Sequence, residues 1–160
     1  MMNENSRVWV YQSNKEFNNS ELNVLDTLLL DFTNTWSAHN QQLKASYEIK
    51  YNRFIVLIVD ENQAGASGCS IDKSVHLMKE MEQKFNINLF DRFHIAWKDK
   101  ESVYSASRAE FEALIEKKQI NSETIVFNNL VLNYKDYQNN WEIPFKESWH
   151  SKIFKLEEAS

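Results

Sequence analysis

Apolar and polar positions follow three different rhythms along this chain, and each rhythm predicts a different kind of element. Arg7 to Gln12 is apolar on both faces, which predicts a central strand. From Ser20, read as a cap, Leu22, Leu25, Leu28, Leu29, Phe32 and Trp36 recur at helical spacing. Leu43, Ala45, Tyr47 and Ile49 then alternate with Lys44, Ser46, Glu48 and Lys50, the pattern of an edge strand with one wet face. Tyr51-Asn52 predicts a tight turn into Arg53 to Asp60, again apolar on both faces. A helix from about Ser70 to Phe85 turns Ile71, Val75, Met78, Met81 and Phe85 inward. Arg92 to Lys98 reads as a strand with Phe93, Ile95 and Trp97 on one face. Asp99-Lys100 turns it into a short strand, Ser102 to Ala106. Ser107 and Glu110 form a capping box for a third helix that buries Phe111, Leu114 and Ile115. Thr124 to Phe127 and Leu130 to Leu132 read as a hairpin about Asn128-Asn129, and Trp141 to Phe154 as an aromatic tail broken by Pro144.

The first six elements run β-α-β-β-α-β, the split βαβ order of a ferredoxin-like α+β sandwich. That topology places the first and third strands centrally and the second at an edge, which the one-sided and two-sided patterns also indicate. The expectation is one domain over residues 1–160. Residues 7–106 form the βαββαβ core plus the added fifth strand. Residues 107–160 form an extension whose third helix, hairpin and tail cover the second sheet face.

A chain of 160 residues, 42% hydrophobic and 13% aromatic, is long and apolar enough to bury a core. The longest apolar run, Phe54 to Val59, is a strand's length and far short of a membrane span. The opening Met-Met-Asn-Glu-Asn has neither the basic residues nor the apolar stretch of a secretion signal. A single cysteine excludes an internal disulfide, and together these features predict a cytoplasmic protein. A net charge of −5 without a basic block counts against nucleic acid as a partner. No cofactor is implied.

Candidate chemistry concentrates in one place. Both glycines and the only cysteine fall within Gly65-Ala66-Ser67-Gly68-Cys69, between the third strand and the second helix. Two glycines so close predict positive φ or a close approach by another group. A loop entering a helix N-terminus offers backbone N–H groups to an anion, so Gly65, Ser67, Gly68, Cys69, Ser70 and Lys73 are the candidate ligand-binding residues. The competing reading is a purely structural turn with a serine cap. The topology brings His39, Trp36, Gln41, Gln42 and the Asp99-Lys100-Glu101 turn to the same end. Cys69 and His39 are therefore a candidate nucleophile and base, against a cysteine that merely packs. Asp60 and Glu61 are weak candidates for a metal. His76 reads as a solvated helix residue, His94 as facing the covered second face, and His150 as tail packing beside Trp149.

Gln41 to Ser46, Tyr51 to Val75, Thr124 to Leu130 and Trp141 to Trp149 resemble a family of short, uncharacterised bacterial proteins often labelled ABC transporter ATPases. Phe54 to Glu61 is similar to a Walker B strand, and Ala66 to Ser70 faintly resembles the signature loop. The resemblance implies no known activity. The ATPase label lacks its mechanics: no Gly-x-x-x-x-Gly-Lys-Ser/Thr loop exists, and no glycine precedes Asp60.

Three functions compete on this evidence. The first is a binding or interaction protein, taking an unidentified protein partner or a small anionic ligand. It would use the loop at residues 60–74 or the aromatics Trp141, Phe145, Trp149 and Phe154. The second is a small enzyme using Cys69 with His39 on an anionic metabolite. The third is nucleotide or RNA binding through Lys44, Lys50 and Arg53.

Overall fold

The computed structural model describes residues 2–156. In chain order its first half comprises β1 (Arg7–Gln12), α1 (Asn19–Thr35), β2 (Ser37–Ala38), β3 (Gln41–Gln42), β4 (Lys44–Lys50), β5 (Phe54–Asp60) and α2 (Gly68–Phe85). The second half comprises β6 (Ile95–Asp99), β7 (Ser102–Ala106), α3 (Arg108–Glu116), β8 (Ile125–Phe127), α4 (Tyr134–Asn140), β9 (Glu142–Pro144) and α5 (His150–Ile153). A single 3-10 turn, Phe145–Glu147, precedes α5.

Local chemistry accounts for the element ends. α1 starts at Asn18, not Ser20: the Asn18 side chain accepts from Glu21 N–H at 2.8 Å, and the Glu21 carboxylate returns to Asn18 N–H at 3.0 Å. α2 starts at Ser67, two residues before Cys69, and ends at Asn86 in the left-handed conformation, φ 52°. The β4–β5 turn is Tyr51-Asn52 as expected, with φ of 55° and 52° matching the twist of the flanking strands. Ser107 is the N-cap of α3, accepting from Glu110 N–H.

The protein is α+β with two antiparallel sheets. The first has the order β1-β5-β4, with β5 buried along its whole length and central as its two-sided apolar pattern requires. The second has the order β7-β6-β8-β9, and β2 and β3 form a small separate pair. The β1-β5-β4 order is that of the first three strands of a ferredoxin-like sheet, but the fourth strand does not complete it. β6 has both edges taken by β7 and β8, while β1 is met by residues 132–133 at its start. The predicted hairpin is likewise corrected: Thr124 to Phe127 does supply a strand, β8, but it pairs with β6 and β9. Phe93 lies ahead of β6 and is exposed, so it shares no face with Ile95.

Packing follows from the two sheets. Leu25, Leu29, Trp36, Met78 and Met81 cover one face of the first sheet through Ile55, Leu57 and Val59. Its other face, Val8, Phe54, Val56 and Ile58, packs against Ala96, Val103, Phe127, Tyr137 and Trp141. Thus the second sheet and α4, more than a loose tail, cover the surface that could not stay wet. A third cluster, Ile95, Phe111, Ile115, Val126, Phe145 and Phe154, includes α3 and the residues before and after α5. Trp141, Phe145 and Phe154 are therefore buried, and the exposed aromatic surface expected of the tail does not exist at these positions. No helix among the described residues is long and apolar enough to cross a membrane.

Candidate functional site

The glycine-bearing loop joins β5 to α2, and the structure brings the α1 end to it: Trp36 Nε1 donates to Ser70 O at 2.8 Å. Neither glycine has positive φ. At Gly65 the approach is close instead: a Cβ there would lie 3.1 Å from Glu61 Oε2, so the Glu61 side chain would have to shift. That carboxylate folds back to accept Ala66 N–H at 2.8 Å, while Ser67 N–H is held by Ser70 Oγ at 2.8 Å and Ser70 N–H by Ser67 Oγ at 3.2 Å. Three of the donors offered to an anion, Ala66, Ser67 and Ser70 N–H, are thus satisfied by the chain itself, with Glu61 standing beside them where a ligand carboxylate would. Lys73 is exposed on α2.

Cys69 is exposed and free, and His39 is exposed in the β2–β3 turn at φ 51°. No hydrogen bond joins them among the described residues, so the structure supplies no nucleophile–base contact of the kind that chemistry needs. Asp60 accepts Asn62 N–H at 3.0 Å and faces Lys44 at 3.7 Å. Among the described residues no three His, Cys, Asp or Glu side chains gather as a metal site. The Asp99-Lys100-Glu101 turn sits in the second sheet, where Asp99 and Lys100 help to line a separate concavity of about 760 Å³. Arg53, counted above among edge cations, is 8% exposed and faces inward.

A different place has the form of a binding site. A cleft of about 450 Å³ opens along the outer edge of β1, walled by residues before and within β6, by Leu130, and by α5. Its origin is the incomplete first sheet. Ser13 N–H donates to Arg53 O, so the odd-numbered residues of β1 bond to β5. The even-numbered residues point outward: Val8 N–H donates to Leu132 O at 3.0 Å, while the N–H groups of Val10 and Gln12 have no partner among the described residues. The Gln12 side chain closes one end, donating to His94 O at 2.8 Å and accepting from Asn129 at 2.9 Å.

Apolar groups dominate the rim. Phe93 is 66% exposed, Leu130 62% and Ile153 49%, three large side chains gathered at one opening. The polar groups are fewer. Arg92 and Arg108 line the cleft, the latter paired with Glu112 at 3.3 Å and lying over the Phe154 ring at 5.5 Å. His150, 2% exposed, also lines it, and its Nδ1 has no partner among the described residues. Burial drives the His150 imidazole down to about 4, so it is neutral at neutral pH. Trp149 stacks on it with centroids 3.7 Å apart, and its buried Nε1 is also unpartnered.

His94 belongs to a small polar network at the same wall. Its Nε2 lies 2.8 Å from Ser105 Oγ, which accepts from Arg53 Nη1 at 2.6 Å and donates to Asn14 O at 3.1 Å. The Ser105–His94 distance is within reach of proton transfer, yet the hydroxyl has three protein partners and does not line the cleft. It acts as a tie between β7, the loop after β1 and the wall of the site. Burial lowers the His94 pKa from its ordinary value, opposed by Asp91 and assisted by the Arg53 charge.

Comparison with known proteins adds nothing to this geometry. No family model, curated protein or solved structure matches the chain.

The resemblance to the short bacterial proteins therefore stays with the segments that suggested it. The sequence points elsewhere for the residues of the cleft: it puts His94 on the covered second face, His150 in tail packing beside Trp149, Trp149 among exposed tail aromatics, and Phe93 on one strand face with Ile95 and Trp97. One signal was available: Phe90, Phe93 and His94 surround Asp91-Arg92 in a stretch too polar to continue the strand and too aromatic for an ordinary loop.

Proposed function

We propose that this chain is a small-molecule binding protein and that the cleft between β1, β6 and α5 is its site. The observation that carries the reading is the grouping of exposed Phe93, Leu130 and Ile153 around a cavity of about 450 Å³. That volume falls in the range of pockets that enclose small organic ligands. The unpartnered N–H groups of the β1 edge and the buried, neutral His150 supply the few oriented polar groups such sites use. The ligand takes an apolar body, since large hydrocarbon side chains gain most by leaving water. Binding at this cleft also replaces the glycine loop as the favoured site, because Glu61, Ser67 and Ser70 already hold three of the loop's donors and the Glu61 carboxylate would repel an anion there.

Titration with the neutral fluorophore N-phenylnaphthylamine tests the reading. Saturable fluorescence enhancement is expected, at one site per chain. Ile153→Asp, at an exposed position that leaves the fold intact, weakens it about tenfold by placing charge against the apolar body. Absence of saturable binding to the wild type sinks the proposal, as does binding that Ile153→Asp and Leu130→Asp both leave unchanged.

A further inference from the structure

We infer that the natural ligand of the cleft is an amphipathic anion, an apolar body carrying a single carboxylate. This inference rests on the cleft being the binding site, as proposed above, and adds what its charges select.

The argument is one of charge complementarity. Two guanidinium groups, Arg92 and Arg108, line the cleft, against one carboxylate, Asp91. Asp91 Oδ1 accepts Phe93 N–H at 2.9 Å within its own turn, and its charge offsets one of the two arginines. Arg92 has no ion pair among the described residues. Arg108 lies over the Phe154 ring, and its one carboxylate partner among the described residues is Glu112 in an exposed helical pair, a contact that contributes a fraction of a kilocalorie and gives way to a better partner.

Behind the wall stands a third cation. Arg53 is 8% exposed, has no carboxylate within ion-pair distance among the described residues, and leaves its Nε without a hydrogen bond. The Glu16 carboxylate partly offsets the Arg53 charge from beyond contact distance, while burial opposes that charge. Arg53 Nη1 reaches the cleft wall through Ser105 Oγ to His94 Nε2, so its positive field is directed there. The outward N–H groups of Val10 and Gln12 add donors to the same opening.

These features sit beside Phe93, Leu130 and Ile153 in a chain whose net charge is −5. A local surplus of cations against that overall balance marks where a negative group is received. A small, fully hydrated anion would leave the apolar rim unused, so the site favours an anion that also buries hydrocarbon. A carboxylate on a hydrocarbon or aromatic body meets both halves of the site. Arginine suits it, since the guanidinium fork matches two carboxylate oxygens.

The experiment measures displacement of bound N-phenylnaphthylamine from the full chain by octanoate and by octanol, which share a hydrocarbon body and differ in charge. Octanoate is expected to displace the dye at about fivefold lower concentration than octanol, and added salt narrows the difference. In the Arg92→Gln, Arg108→Gln double variant, at two exposed positions that folding does not depend on, the two competitors become equal. Equal displacement from the wild type overturns the inference while leaving the cleft reading in place. A preference for octanoate that survives in the double variant overturns the role assigned to these arginines. Failure of the neutral dye to bind at all removes the cleft reading itself, and the inference with it.

Discussion

His150 shows how much one buried side chain can govern. It is 2% exposed and its Nδ1 has no protein partner among the described residues, so protonating it in the folded protein is costly. Its folded value is about 4, against 6.5 for the free imidazole. Above the unfolded value both states are neutral and the group has no effect. As pH falls from 6.5 toward 4 the unfolded chain takes up a proton that the native state refuses, so stability declines across that window. The gap is worth roughly 3 kcal/mol when fully expressed. Urea unfolding at successive pH values should show this loss in the wild type. His150→Gln, which does not titrate, should remove most of the slope between pH 6.5 and 5, and equal slopes in the two proteins would refute the assignment. The sequence reading saw this residue correctly as part of the tail's packing. Its titration was hidden because the sequence pattern does not say how deeply a histidine beside Trp149 is buried.

At the scale of elements, the start of α2 carries a clean separation of structure from ligand chemistry. Ser67 is the N-cap and Ser70 completes a reciprocal pair of hydrogen bonds. Gly68 follows the cap, has no positive φ, and would place a Cβ with nothing within 4 Å. Gly68→Ala should therefore stabilise the protein by about 0.5–1 kcal/mol, chiefly by restricting the unfolded chain. Ser67→Ala should destabilise it by about 1 kcal/mol. Thermal unfolding measures both. Destabilisation by Gly68→Ala would mean that something else approaches that backbone.

The elements themselves were legible where one pattern dominated: β1 matches the predicted span residue for residue, and β5 and α2 came within a few residues. What the pattern left hidden was pairing. The apolar face of Val8, Phe54, Val56 and Ile58 predicted a cover without saying which strand supplies it. α4 was missed because Tyr134 to Asn140 is polar apart from Tyr134 and Tyr137, although Asn133 and Asp136 do mark its start. The cleft was illegible for the same reason as the pairing. It exists only because β6 joins another sheet and leaves the β1 edge open.

Across the whole molecule, the two sheets depend on each other. Val56 and Phe54 of the first sheet pack with Phe127 of β8 and with Trp141, and the Phe54 and Trp141 rings meet edge to face with centroids 4.9 Å apart. Polar ties span the same seam. Lys98 of β6 donates to Glu142 of β9 at 3.0 Å and to Tyr51 of the β4–β5 turn at 3.1 Å, while Tyr51 donates to Glu142 at 2.8 Å. These bonds raise the Lys98 pKa above its ordinary value and keep it charged. Tyr137 of α4 donates to Glu48 of β4 at 3.0 Å. β6 and β7 precede residue 107 in sequence, yet β6 takes its inner neighbour, β8, from beyond it. Neither sheet can shed its apolar face into water alone, so the two should unfold together. Trp141→Ala empties a site 3% exposed at the seam and should lower stability by about 3–5 kcal/mol. Its unfolding curve should shift equally by far-ultraviolet circular dichroism and by tryptophan fluorescence, because a defect at the shared core weakens both sheets at once. Two separated transitions, with only one moved by the substitution, would show that each sheet keeps a core of its own.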